Sequence, residues 1–129
     1  MEMKSGIALL PNISAVAWET FQSRAQTILV PDLEWAHDLN DELSFFDPQK
    51  KIHTLTAFET DLLRNRGPSN KRRMDRIRFL HHWHNHRGVS ENIFIIPADQ
   101  CFQKFLSAEF WKKNVLRLKV GEALSRDTL

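Results

Sequence analysis

The chain has 129 residues and a mass of 15.1 kDa, with 42% hydrophobic and 26% charged residues, which suits one globular domain with its own core. Tyrosine is absent, so no tyrosine nucleophile is available, and the single cysteine excludes an internal disulfide and any zinc site built from several thiolates. The net charge of +2 at pH 7 favours no particular class of partner.

The first half of the chain predicts a strand and two helices. An apolar run near 6–10 stops at a proline and indicates a short strand. Ser14 is a candidate N-cap for a helix with apolar residues at helical spacing. Residues 27–30 form either the last turn of that helix or a strand. Asp32 opens an acidic helix, and a polar loop follows it at 47–51.

Two further helices are predicted in the middle of the chain. Thr54 or Thr56 is expected to cap the first of them, which ends near Gly67. A Gly-Pro-Ser-Asn turn then leads into a basic, histidine-rich helix from about Asn70 to Gly88, where glycine suits the residue after the last turn.

The last third of the chain predicts strands on either side of a helix. The β-branched and aromatic run at 92–96 indicates a strand, and Asp99 is expected to cap a phenylalanine-rich helix. Apolar and basic residues alternate at 115–120, which indicates another strand. We expect residues 122–129 to form a flexible tail.

Together these elements predict an α+β fold. We expect a mostly helical single domain over residues 1–129, with four to five helices and a small sheet of short strands near 6–10, 92–96 and 115–120. The alternative is an all-α bundle. No apolar run approaches the roughly 18 residues of a membrane span, and the N-terminal run is too short for a signal-peptide core, so we expect no membrane contact and a cytoplasmic setting.

Charge is strongly segregated along the chain. Residues 31–48 contain six acidic residues and no Lys or Arg, whereas residues 64–87 contain eight basic residues and a single acidic one. Such segregation concerns partners more than fold. The two segments could bind each other, either within one chain or between two copies.

The basic helix, drawn as a wheel, predicts a core-facing stripe of five residues: Met74, Ile77, Leu80, His81 and His84. A second stripe mixes guanidinium groups with aromatic rings: Arg72, Arg76, Phe79, Trp83 and Arg87. His82 and His86 share a third face at a spacing that can bring two imidazoles to one zinc ion, with His37 or His53 as distant candidates for a third ligand.

Enzymatic alternatives are weaker. A nuclease could hold Mg²⁺ with Asp38, Asp41 and Glu42, but such carboxylates more often form the solvated face of a helix. Cys101 near a helix N-terminus could be reactive, but a lone cysteine is more often a small buried residue. We therefore predict no catalytic residue, no metal ligand and no cofactor.

We predict a nucleic-acid-binding protein, binding DNA or RNA as a regulatory or accessory component, with helix 70–87 as its phosphate-contacting face. Arginine predominates in this helix, and its forked guanidinium suits phosphate and guanine. Phe79 and Trp83 could stack on bases if exposed. The binding residues predicted on this basis are Arg64, Arg66, Lys71, Arg72, Arg73, Arg76, Arg78, His82, Trp83, His86 and Arg87.

The alternative function is a protein-protein interaction module, either an adaptor or an inhibitor. It would act through the acidic segment 32–47, and its partner could be another protein or a second copy of the chain. The residues predicted for this role are Asp32, Glu34, Asp38, Asp41 and Glu42.

Overall fold

The computed structural model describes residues 12–23, 26–57, 67, 69–102 and 105–123. These residues form four α-helices, three strands and one 3-10 turn, which confirms the predicted α+β class. In chain order the elements are α1 Ile13–Ser23, β1 Thr27–Val30, α2 Leu33–Phe46, β2 Lys51–Thr54, α3 Asn70–His86, β3 Asn92–Pro97, the 3-10 turn Ala98–Gln100 and α4 Ala108–Asn114. None of the described helices combines the length and apolarity needed to cross a lipid bilayer.

The three strands form one parallel sheet with β3 in the centre, in the order β1-β3-β2. Thr27 pairs with Phe94 on one side of β3, and His53 pairs with the same residue on the other side. Parallel neighbours require crossover connections, and helices α2 and α3 lie within these connections. Both faces of the sheet are therefore covered by helices.

The side chains of β3 alternate between two hydrophobic cores. Ile93 and Ile95 belong to the core that also contains Ala17 of α1 and Leu39 of α2. Phe94 belongs to the other core, with residues of α3 and α4. Because successive strand residues point to opposite faces, α1 and α2 cover one face of the sheet and α3 and α4 cover the other.

Side-chain caps and one glycine set the helix ends. The Ala15 amide donates to Asn12 Oδ1 (2.8 Å), so Asn12, not Ser14, caps α1. The caps of α2, α3 and α4 are Asp32, Ser69 and Ser107, whose side chains accept from backbone amides. Gly88 has a φ of 89°, which lets the chain leave α3 where a residue with a Cβ would be strained.

The strand predictions meet mixed outcomes. The strand at 92–96 is confirmed, and residues 27–30 form a strand instead of a helical turn. The strand near 6–10 lies outside the described residues. The strand at 115–120 is wrong, because these residues pair with no described strand and the side chains of Leu116, Leu118 and Val120 are exposed. Strand β2 was missed, since its sequence Lys-Ile-His-Thr is short and mostly polar.

Two helix predictions also need correction. Thr54 ends β2, and the amide of Leu55 still donates to Ile95 O (3.0 Å), so Thr54 does not cap a helix. The alternative cap, Thr56, stays a prediction, because residues 58–66 of that predicted helix are not described. Asp99 lies inside the 3-10 turn, and α4 starts later, at Ala108, because Ser107 provides its cap. Cys101 follows the 3-10 turn and is exposed, contrary to the expectation that it is buried.

The central position of Phe94 allows a test of the core between β3 and α3. We expect Phe94→Ala to lower the free energy of unfolding by about 3–5 kcal/mol, because it opens a cavity between β3 and α3. The matched control is Phe45→Ala on α2, where the ring is 81% exposed and the change should stay within about 0.5 kcal/mol. Urea denaturation measures both, and equal losses would contradict the described core.

Candidate functional site

Helix α3 packs on the sheet with a different face from the predicted one. Arg76, Phe79 and Leu80 are buried, whereas Met74 and Ile77 are 50% and 42% exposed. The predicted core stripe is therefore wrong at Met74 and Ile77, whereas Leu80 is buried and His81 and His84 are half-buried against Trp111. The mixed guanidinium-aromatic stripe faces the sheet instead, because Phe94 and Leu55 offer an apolar surface to Phe79 and its neighbours.

The two rings proposed for base stacking belong to this core. Phe79 and Trp83 contact the Phe94 ring edge to face, with centroids 5.8 Å and 5.2 Å away. Phe79 is 5% exposed and Trp83 is half-buried. Stacking on Phe79 therefore requires α3 to leave the sheet, whereas the half-buried Trp83 is partly accessible.

Arg76 is also drawn into the fold. Its Nη1 donates to the Thr56 carbonyl (3.5 Å), and its guanidinium lies 4.5 Å from the centre of the Phe105 ring. Burial lowers the pKa of Arg76 from its ordinary value. Arg76 therefore links α3 to the segment after β2 and to the segment before α4. Its guanidinium is not part of the exposed cationic surface.

The remaining cations differ in their accessibility. Lys71, Arg73 and Arg78 are exposed, and Arg78 forms an ion pair with Asp75 (3.6 Å) on the preceding turn. Arg72 is half-buried, and the exposed Arg87 lies 6.0 Å from the Trp83 ring. Arg64 and Arg66 fall among residues that the structure does not describe. The exposed cations are thus concentrated in the first half of α3, and we call Lys71, Arg73 and Arg78 the basic face.

Helix α3 begins at the carboxyl edge of the sheet. It connects two parallel strands, so it runs antiparallel to them, and Arg76 contacts Thr56 just beyond the end of β2. Lys71 and Arg73, one turn earlier, therefore lie beside the edge where β1, β2 and β3 end.

A stack of histidine rings joins the other half of α3 to the sheet. The His82 ring stacks on His53 of β2 (4.3 Å between centroids), and His53 stacks on Phe94 (5.1 Å). The His86 ring lies 5.6 Å from His82 and is tilted by 34° to it. A hydrogen bond of 2.9 Å joins His53 Nε2 to the buried Asn92 Oδ1. We call His53, His82 and His86 the histidine stack.

The sequence placed His82 and His86 on one face but treated His53 only as a distant candidate. The missing link was β2: once Lys51 pairs with Asn92, alternation puts His53 on the α3 side of the sheet. Stacked rings present their faces to one another, so their nitrogens do not converge on one point. Consistently, no group of three described His, Cys, Asp or Glu residues has a geometry that could hold a metal ion.

Within the stack, His82 resists protonation. Burial lowers the pKa of His82, and the nearby His53, His81, His86 and Lys51 lower it further by charge repulsion. Burial likewise lowers the pKa of His84, with Arg87 and Lys112 adding to the effect, against a hydrogen bond that the His84 ring donates to the backbone carbonyl of Leu106. His82 and His84 thus gain charge at a lower pH than free imidazole does, which weakens any binding contribution from them near pH 6.

Helix α4 covers the opposite side of α3. The Trp111 ring lies 5.9 Å from both His81 and His84, and Trp111 is buried. Beyond α4, Arg117 donates to Asn85 Oδ1 (2.8 Å) and ties the following segment to the end of α3. The second half of α3 is therefore flanked on one side by the histidine stack and on the other by α4.

The acidic residues form a separate surface on the other face of the sheet. Asp38, Asp41 and Glu42 line an open groove between α1 and α2, next to Phe45. Ser14 donates to Glu42 Oε1 (3.3 Å) across this groove. Asp32 has a structural role instead, since its Oδ1 accepts from the Trp35 amide (2.9 Å) as the α2 cap. Glu34 is exposed in the first turn of α2.

The sheet separates the acidic groove from the basic face. α2 packs against Ile93 and Ile95, and α3 packs against Phe94, which points to the opposite side. The two charged segments therefore do not neutralise each other within one molecule. Comparison with protein-family models, with curated proteins and with solved structures finds no match to this chain.

The lowered histidine pKa values give a pH dependence with a definite sign. The unfolded chain binds a proton at His82 with a pKa of about 6.5, above the value in the folded protein. Below that pH the unfolded state holds more protons than the folded state. His82 therefore leaves the free energy of unfolding unchanged at pH 7.5 and lowers it increasingly as the pH drops below about 6.5. Thermal unfolding between pH 7.5 and 5 should show this loss.

His82→Phe tests whether His82 causes this loss of stability, because the substitution keeps a stacking ring but removes the titrating nitrogen. We expect a shallower loss of stability with acidification than in the unmodified protein. His37→Phe, at an exposed position on α2 across the sheet, serves as the matched histidine control. An unchanged slope in His82→Phe would refute the assignment to the stack.

Proposed function

We propose that this protein binds nucleic acid through the basic face of α3. The observation that carries the proposal is the run of three cations, Lys71, Arg72 and Arg73, in the first turn of α3 beside the carboxyl edge of the sheet. Arginine and lysine at such spacing are suited to the phosphates of a polynucleotide.

The helix dipole supports an anionic ligand at this place. The N-terminus of a helix carries partial positive charge, so cations there cost about 0.3–1 kcal/mol each. The first turn of α3 contains no acidic residue to offset them. A phosphate near Lys71 and Arg73 would relieve this repulsion and would interact with the exposed amides of the first turn.

The position in the fold supports the same proposal. In open α/β sheets, ligands usually bind at the carboxyl edge of parallel strands, where loops and helix N-termini converge. The exposed first half of α3 lies at this edge, whereas the histidine stack and Trp111 flank its second half.

A second candidate function rests on the acidic groove. Asp38, Asp41 and Glu42 surround an opening beside the ring of Phe45, which would suit a basic partner with an apolar anchor. Because the groove and the basic face lie on opposite sides of the sheet, one protein could use either without the other. The partner could be another protein or the basic face of a second copy.

Charge reversal on the exposed cations tests the nucleic-acid proposal. We expect Lys71→Glu with Arg73→Glu to weaken binding to labelled oligonucleotides at least tenfold, and to reduce the log-log salt slope by roughly 1.5, since each lost phosphate contact removes about 0.7–0.9. A salt titration by fluorescence anisotropy measures both. Arg76 is avoided because its burial would confuse binding with folding.

The matched control is Asp38→Lys with Asp41→Lys, which changes charge by the same amount on the other side of the sheet. This pair should preserve oligonucleotide binding and abolish any partner binding through the acidic groove. If neither oligonucleotide affinity nor its salt slope responds to Lys71→Glu with Arg73→Glu, the proposed basic face is refuted.

A further inference from the structure

We propose that the nucleic acid taken by this site is single-stranded, with unpaired bases resting on exposed phenylalanine rings beside α3. This inference rests on the proposed function and adds the class of ligand. It follows from three features: the contacts that flank α3, the positions of the exposed aromatic rings, and the exposed apolar side chains near the cations.

The flanks of α3 disfavour insertion into a DNA major groove. That groove is about 12 Å wide, close to the diameter of one helix with its side chains, so a recognition helix must project from its neighbours. Here His82 is covered by His53 on one side, and His81 and His84 are covered by Trp111 on the other. The second half of α3 is therefore flanked on both sides and does not project from its neighbours as a recognition helix does.

Exposed rings lie next to the cationic half of α3. Phe102, 92% exposed, follows the 3-10 turn that leaves β3 at the carboxyl edge. Phe105 has the Arg76 guanidinium 4.5 Å from its ring centre and is partly exposed. Phe110 is half exposed on α4, which packs through Trp111 against the second half of α3 and so lies farther from the cations. Stacking on such rings stabilises unpaired bases and is not available to bases inside a duplex.

The surface between the rings and the cations is itself amphipathic. Met74 and Ile77 are exposed on the same half of α3 that carries Lys71 and Arg73. Duplex DNA presents mainly phosphates to a protein surface, and apolar side chains gain little from them. A single strand presents phosphates and bases together, so it matches both parts of this surface. Lys112 and Lys113 extend the positive charge onto α4.

The test compares three probes with the full chain: a labelled oligothymidylate of about 20 nucleotides, a duplex of equal length, and vesicles of phosphatidylserine and phosphatidylcholine. We expect the oligothymidylate to bind at least tenfold more tightly than the duplex at equal salt. Phe102→Ala should weaken oligothymidylate binding by about tenfold or more. Phe21→Ala, at a partly exposed ring of α1 on the other side of the sheet, should leave it unchanged.

The outcomes separate this inference from the proposed function. The single-strand inference fails if duplex and oligothymidylate bind equally and Phe102→Ala has no effect. The basic face still stands in that case if Lys71→Glu with Arg73→Glu abolishes binding. If no oligonucleotide binds at low salt, both fail. Binding to the vesicles alone would overturn both in favour of an anionic lipid surface.

Discussion

The structure depends on one constraint: β3 is a central parallel strand with both faces buried. Its side chains alternate, so Ile93 and Ile95 require an apolar layer on one side and Phe94 requires another on the opposite side. Parallel pairing with β1 and β2 forces the chain through two crossovers, and these supply helices for the layers. The separation of the acidic groove from the basic face follows directly, because α2 and α3 lie on different sides.

The same constraint determines which half of α3 is available for binding. Phe79 and Trp83 pack against Phe94, and this orientation of α3 buries Arg76. The Arg76 guanidinium lies over the Phe105 ring and donates to the Thr56 carbonyl. A buried arginine is tolerated only when its charge is compensated in this way. The neighbouring cations on the first turn remain outside, at the edge where ligands of open α/β sheets usually bind.

The second half of α3 has a different character. His82 packs between the His53 and His86 rings, and burial together with the nearby positive groups lowers its pKa, so that protonation of His82 opposes this packing. The stability of this half is therefore linked to pH, whereas the cations of the first half stay charged throughout. One helix thus combines a titrating contact with the sheet and a permanently charged outer surface.

Local patterns in the sequence determined several elements correctly: the α3 helix between a serine cap and Gly88, the acidic helix behind Asp32, and the strand at β3. Each depends on residues that are neighbours along the chain, so capping and propensity suffice to identify it. The tertiary structure alone decided that β2 joins the sheet, that 115–120 does not, and that Arg76 is buried while Met74 is exposed. Those outcomes depend on long-range partners such as Phe94 and Phe105, and the free energy of packing against them exceeds the weak local preferences of a polar strand or a mixed helix face.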